Sequence, residues 1–100
     1  MSKYQVKVSP RVSMQLVQHA AFISNVSKPA ALRFHREFKD IVRRLKENPY
    51  QFPLYDDPNL PPDIYHKALF AKWYKVVFSI EGDVVYVDAV VDGRADWNRK

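Results

Sequence analysis

The chain contains no cysteine. That absence excludes a disulfide scaffold, a thiolate zinc site and a cysteine nucleophile together. Glycine is almost as scarce, at two residues in 100. A Gly-rich phosphate loop and a dinucleotide-binding fingerprint are therefore out of reach. No apolar run approaches the ~18 residues that a membrane span needs. The start, Met1-Ser2-Lys3-Tyr4, runs straight into a strand-like pattern. It leaves no room for the charged head and apolar stretch of a secretion signal. The expectation is a cytoplasmic protein with no membrane partner, no metal and no cofactor.

What is present reads as one globular domain over residues 1–100, with 47% hydrophobic and 27% charged residues. The net charge is +5, unevenly spread. Residues 1–50 hold 10 Lys/Arg and 3 Asp/Glu, whereas residues 51–100 hold 6 and 8. A basic first half points to an acidic partner, either nucleic acid or an acidic protein segment.

Tyr4-Gln5-Val6-Lys7-Val8 alternates as a half-buried strand does. Ser9-Pro10 reads as a helix N-cap with proline at the first helical position. Val12, Leu16, Ala20 and Ile23 then recur at helical spacing, predicting a helix over 10–24. Ser27 opens a second helix after a short Asn25–Lys28 connection. Its apolar stripe is Ala31, Phe34, Phe38, Ile41, Val42 and Leu45. Its other side is basic, through Arg33, Arg36, Lys39, Arg43, Arg44 and Lys46, and Asp40 is spaced to pair with Arg44. Asn48-Pro49 ends it.

Five prolines lie between 48 and 63, predicting a stiff loop that Tyr50, Phe52, Leu54 and Tyr55 pin to the core. Strands follow at 64–70, 73–80 and 84–91, the last two joined by a hairpin turn at Glu81-Gly82-Asp83. Strict alternation puts Tyr74, Val76, Phe78, Ile80, Val85, Val87, Ala89 and Val91 against the helices. It leaves Lys75, Val77, Ser79, Tyr86, Asp88 and Val90 on the other face. The order β-α-α-β-β-β places the chain in the α+β class, a two-helix hairpin on a small antiparallel-rich sheet.

That order resembles the RelE/ParE superfamily of bacterial type II toxins, and the resemblance spans nearly the whole chain. It rests on Ser9-Pro10, on Ala30-Ala31…Phe34 and on Leu45…Asn48-Pro49. Most of all it rests on Ile64-Tyr65-His66-Lys67-Ala68-Leu69, Trp73-Tyr74-Lys75-Val76-Val77-Phe78 and the run Val84-Val85-Tyr86 through Asp92-Gly93-Arg94. The resemblance implies a small basic toxin neutralised by an acidic antitoxin. RelE-like members cut mRNA in the ribosome without a metal; ParE-like members inhibit DNA gyrase on the same fold. A degenerate member that mainly binds its antitoxin is a third possibility.

Metal-free RNA cleavage needs a base for the 2′-hydroxyl, cations for the developing phosphorane charge and an acid for the 5′-oxygen. The resemblance assigns that cluster to His66, Lys75 and Arg94 and sets Trp97 near it as a substrate contact; Lys67, Tyr86 and, on the basic face of the second helix, Arg43 and Arg44 are further candidate substrate contacts. The imidazole of His66 is the side chain suited to the base. Lys75 stands where the family has arginine and gives up bidentate phosphate geometry. Ala68 stands at a basic position of the family and brings no charge. Lys67 alternates with His66, so the two are expected on opposite faces.

Overall fold

A computed structural model describes residues 3–93. The elements are β1 (Gln5–Val8), α1 (Pro10–Val26), α2 (Lys28–Glu47), β2 (Tyr65–Phe70), β3 (Tyr74–Glu81) and β4 (Val84–Asp92). They form the expected α+β order. The sheet runs β1-β4-β3-β2, with β1 parallel to β4 and the other pairs antiparallel. Among the described residues no helix is long and apolar enough to cross a membrane.

Local chemistry sets the helix ends. The Ser9 side chain accepts from Val12 N at 3.2 Å, and Pro10 occupies the first turn. Such a cap contributes about 1 kcal/mol. Ser27 ends one helix and starts the next. Its own N–H donates to Ile23 O at 2.8 Å, while its hydroxyl accepts from Ala30 N at 3.2 Å. The helix junction is thus this single extended residue, and α1 runs two residues past the expected end. On α2, Asp40 pairs with Arg43 at 2.6 Å rather than with Arg44. The Arg44 guanidinium instead meets Gln51 Oε1 at 2.9 Å and lies over the Phe52 ring.

The core lies between the helix hairpin and one sheet face. Val12, Phe34, Leu45, Val76, Phe78, Val85, Val87 and Val90 are almost fully buried. Truncating a residue such as Phe34 to alanine costs about 3–5 kcal/mol. Val90 was not expected there. Phe78 pairs with Val87 but Val77 pairs with Ala89, so Asp88 is an extra, unpaired residue in β4. Such a bulge reverses the alternation beyond it. Val90 therefore turns into the core, and Ala89 and Val91 turn out. The hairpin turn is the two-residue Gly82-Asp83, with Gly82 at φ +60°, a conformation glycine adopts without strain.

The proline-rich loop docks in two steps. A 3₁₀ turn at Pro49–Gln51 carries Phe52 into the core. The chain then lies beside β2: Lys67 N donates to Pro53 O at 3.0 Å and Tyr55 N to Tyr65 O at 2.8 Å. Tyr50 and Leu54 stay exposed, so Phe52 pins the loop on the core side and Tyr55 pins it on the other.

Candidate functional site

Register decides which side chains meet. On the face away from the helices, Lys7, Tyr86, Ser79 and Tyr65 form one row across the sheet. Ala89, Val77 and Lys67 form the next, and Val91, Lys75 and Leu69 the third. Tyr55 reaches this outer face from the docked loop. The Lys75 ammonium lies 4.8 Å and that of Lys67 5.6 Å from the Tyr55 ring centroid, cation–π distances. Lys75 Nζ also donates to the Tyr55 hydroxyl at 3.3 Å. Two cations and a phenol are thus gathered on a face that also shows Tyr65, Tyr86 and Lys7. Ammonium donors beside aromatic rings suit a phosphate backbone with unstacked bases.

His66 is not part of that cluster. It pairs with Phe78 on the helix-facing side and stacks on the Phe78 ring at 5.4 Å, with planes 16° apart. Its Nδ1 lies 3.0 Å from Phe52 O. A carbonyl only accepts, so Nδ1 is the donor in this contact. The exposed Tyr50 ring stands edge-on at 6.0 Å. One residue of parity separates His66 from Lys75, so the structure brings Lys67, Lys75 and Tyr86 to one face and sets His66 on the other. Ala68 faces the core and is 1% exposed. Arg43 and Arg44 lie on α2, away from the outer face, each already engaged with a neighbour. Arg94 and Trp97 lie outside the described residues.

Tyr55 was missed by the sequence reading, which gave it only a pinning role. Its place depends on the loop pairing with β2, and no local pattern encodes that. Gly93 closes the end of β4. Its N–H donates to Trp73 O at 2.6 Å, and a Cβ there would drive into that same oxygen. Lys75 Cε would lie 3.8 Å from such a Cβ. Gly93 is therefore the residue that lets β4 end tightly against Trp73 and Lys75.

A second feature opens on the helix side. A cleft of about 280 Å³ lies between the tip of the helix hairpin and the β2–β3 turn, lined by Phe22, Val26, Phe34 and Trp73 among others. Arg33 and Lys72 line it too. The turn is held from below, Ala71 N donating to Glu37 Oε1 at 3.0 Å. Ala71 and Lys72 both take positive φ, 47° and 76°, a conformation that costs non-glycine residues energy and collects at binding sites.

The described residues contain no group of three His, Asp or Glu side chains placed to hold a metal ion. Asp88, the bulge residue, has a carboxyl raised above its ordinary value by burial, with Arg11 pulling the other way.

No protein-family model matches the chain, and no curated protein does. Solved structures do match. One is a chain of the chromosomal ParDE toxin–antitoxin system from P. aeruginosa, with a TM-score of 0.70 and 14% sequence identity. The likeness covers 90% of this chain and 96% of that one. At this identity the likeness is one of fold, and the chain has the RelE/ParE-like α+β fold.

Proposed function

We propose that this protein is the toxin half of a toxin–antitoxin pair and that the outer sheet face is its working surface. The observation that carries the reading is the Lys67–Lys75–Tyr55 cluster, set on a fold shared along almost its whole length with a ParDE chain. In the leading mechanism the face receives mRNA in the ribosome. Lys67 and Lys75 neutralise the scissile phosphate and the charge that grows on it. Arg94, the residue after Gly93, adds a planar donor to the same phosphate. Tyr55, not His66, is then the titratable group nearest those cations on this face. The partner is an acidic antitoxin, whose apolar side chains fill the helix-side cleft while its carboxylates meet Arg33 and Lys72.

A specific observation favours a second reading, inhibition of DNA gyrase without catalysis. His66 faces away from Lys75, and Ala68 is neutral and buried. The register thus sets cations and phenols together on the outer face and the imidazole of His66 on the other. A binding surface needs no more than that; a nuclease needs an acid and a base. The two readings part on one experiment, with transcript 5′-ends and plasmid supercoiling followed together after induced expression. New 5′-ends in translated messages with unchanged supercoiling support cleavage. Altered supercoiling with intact messages supports the gyrase reading. Neither change, at confirmed soluble expression, removes both targets.

A further inference from the structure

The row Lys7–Tyr86–Ser79–Tyr65 crosses all four strands on the outer face. Two residues further along β2, roughly 6.6 Å away, Lys67 begins the cationic cluster around Tyr55. Two residues the other way, toward the hairpin turn, Glu81 shares a row with Val84 and Gln5. The tyrosine row therefore has ammonium groups on one side and a carboxylate on the other. Its phenols also differ from the rest. Of the six tyrosines, Tyr4 and Tyr50 meet edge to face, Tyr74 packs on Phe34, and Tyr55 lies beside two ammonium groups. Among the described residues the half-buried rings of Tyr65 and Tyr86 meet no other ring and no cation, and neither their hydroxyls nor that of Ser79 makes a hydrogen bond.

We infer that this row is a stacking platform for two bases of a single-stranded RNA, whose phosphates run on the Lys67–Lys75 side. The inference rests on the reading of the outer face as an RNA surface. A phenol ring stacks on any base, because every base has a π-face. Tyr65 and Tyr86 stand two strand spacings apart, roughly 9.6 Å, with the small Ser79 between them, so each ring takes its own base. Glu81 repels phosphate from the hairpin side, while Lys67 and Lys75 attract it on the other. The charges therefore fix the side on which the backbone lies. Lys7, exposed at the end of the row, meets the phosphate beyond Tyr86. A base held on Tyr65 leaves its neighbouring phosphate one row away, at the Lys67–Lys75–Tyr55 cluster. A duplex keeps its bases paired with each other, so only a single strand uses the phenols.

The test is fluorescence anisotropy of an end-labelled, 2′-O-methylated oligoadenylate titrated with the full chain over a series of salt concentrations. The methyl group blocks the hydroxyl that attacks in cleavage, so binding is read whether or not the chain is a nuclease. Tyr65→Leu and Tyr86→Leu are each expected to weaken binding at least fivefold, the low end for one lost stacked base. The dependence of log K on log salt stays as in the parent. Tyr65→Phe and Tyr86→Phe keep the ring and bind as the parent does. Lys67→Gln instead reduces the salt slope by about 0.7, one phosphate of a single strand. A duplex RNA binds through the lysines alone, equally to the parent and to the leucine variants. Far-UV circular dichroism checks the fold of each variant. Folded leucine variants that bind the single strand like the parent overturn the platform and leave the lysine cluster as the RNA site. A duplex weakened as much as the single strand also overturns it. A parent chain that binds no RNA removes the platform together with the RNA reading of this face. The expected losses in a chain that does not arrest growth uphold the platform and remove only the toxin reading.

Discussion

Asp88 concentrates the residue-scale lessons. One extra residue in β4 reverses which side chains enter the core, and places a carboxylate where burial disfavours its charge. The native state therefore holds the Asp88 proton to higher pH than the unfolded chain does. Through that window the native state binds more protons, so this group's contribution to stability falls as pH rises. Asp88→Asn removes the effect. The variant is expected to melt higher than the parent near neutral pH, and the gap to close as pH falls through the carboxylate range. Melting temperatures measured across that range check this; a parent more stable than the variant at neutral pH contradicts it. None of this was legible in the sequence. Val84–Val91 alternates too smoothly to betray an insertion, and either Val90 or Val91 satisfies a hydrophobic pattern. The caps at Ser9 and Ser27 were legible, because capping is set within three residues. The parity that separates Lys67 from His66 was legible too, because alternation is local.

At the scale of elements, the sheet has an edge to protect. β1 pairs with β4 only from Val84 to Val87, and among the described residues the rest of β4 has no neighbouring strand on that side. An unpaired strand edge invites pairing with other chains. Helix α1 covers it with side chains: Gln15 Oε1 accepts from Val90 N at 2.9 Å, and His19 Nε2 lies 3.4 Å from Val90 O. The two residues are one helical turn apart, so both reach the same strand residue. The opposite edge, at β2, is partly covered by the loop at 53–55. Gln15→Ala leaves the Val90 amide without its acceptor, which costs about 1–3 kcal/mol when such a group is buried. Native-state hydrogen exchange reads this directly: the Val90 amide is expected to exchange faster in the variant. Unchanged protection at Val90 contradicts the edge-guard role. The sequence showed α1 and β4 as elements but not this contact, which joins residues 75 positions apart.

At the scale of the whole molecule, the two faces of the sheet divide the work. The inner face holds the core and, at its margin, His66. The outer face carries Lys67, Lys75, Tyr55, Tyr65 and Tyr86, and the cleft lies apart from it, between the hairpin tip and the β2–β3 turn. Fold class and element order were readable from hydrophobic period and turn residues. The composition of the site was only half readable, because it depends on a long loop returning to the sheet. The most direct test is bacterial growth after induction of the parent chain and of the double variant Lys67→Glu/Lys75→Glu, at matched soluble levels. Both lysines lie on the outer face, outside the core cluster, so the double variant is expected to fold. The account predicts that the parent arrests growth and the double variant does not. Normal growth with the parent chain, or equal arrest by both, contradicts it.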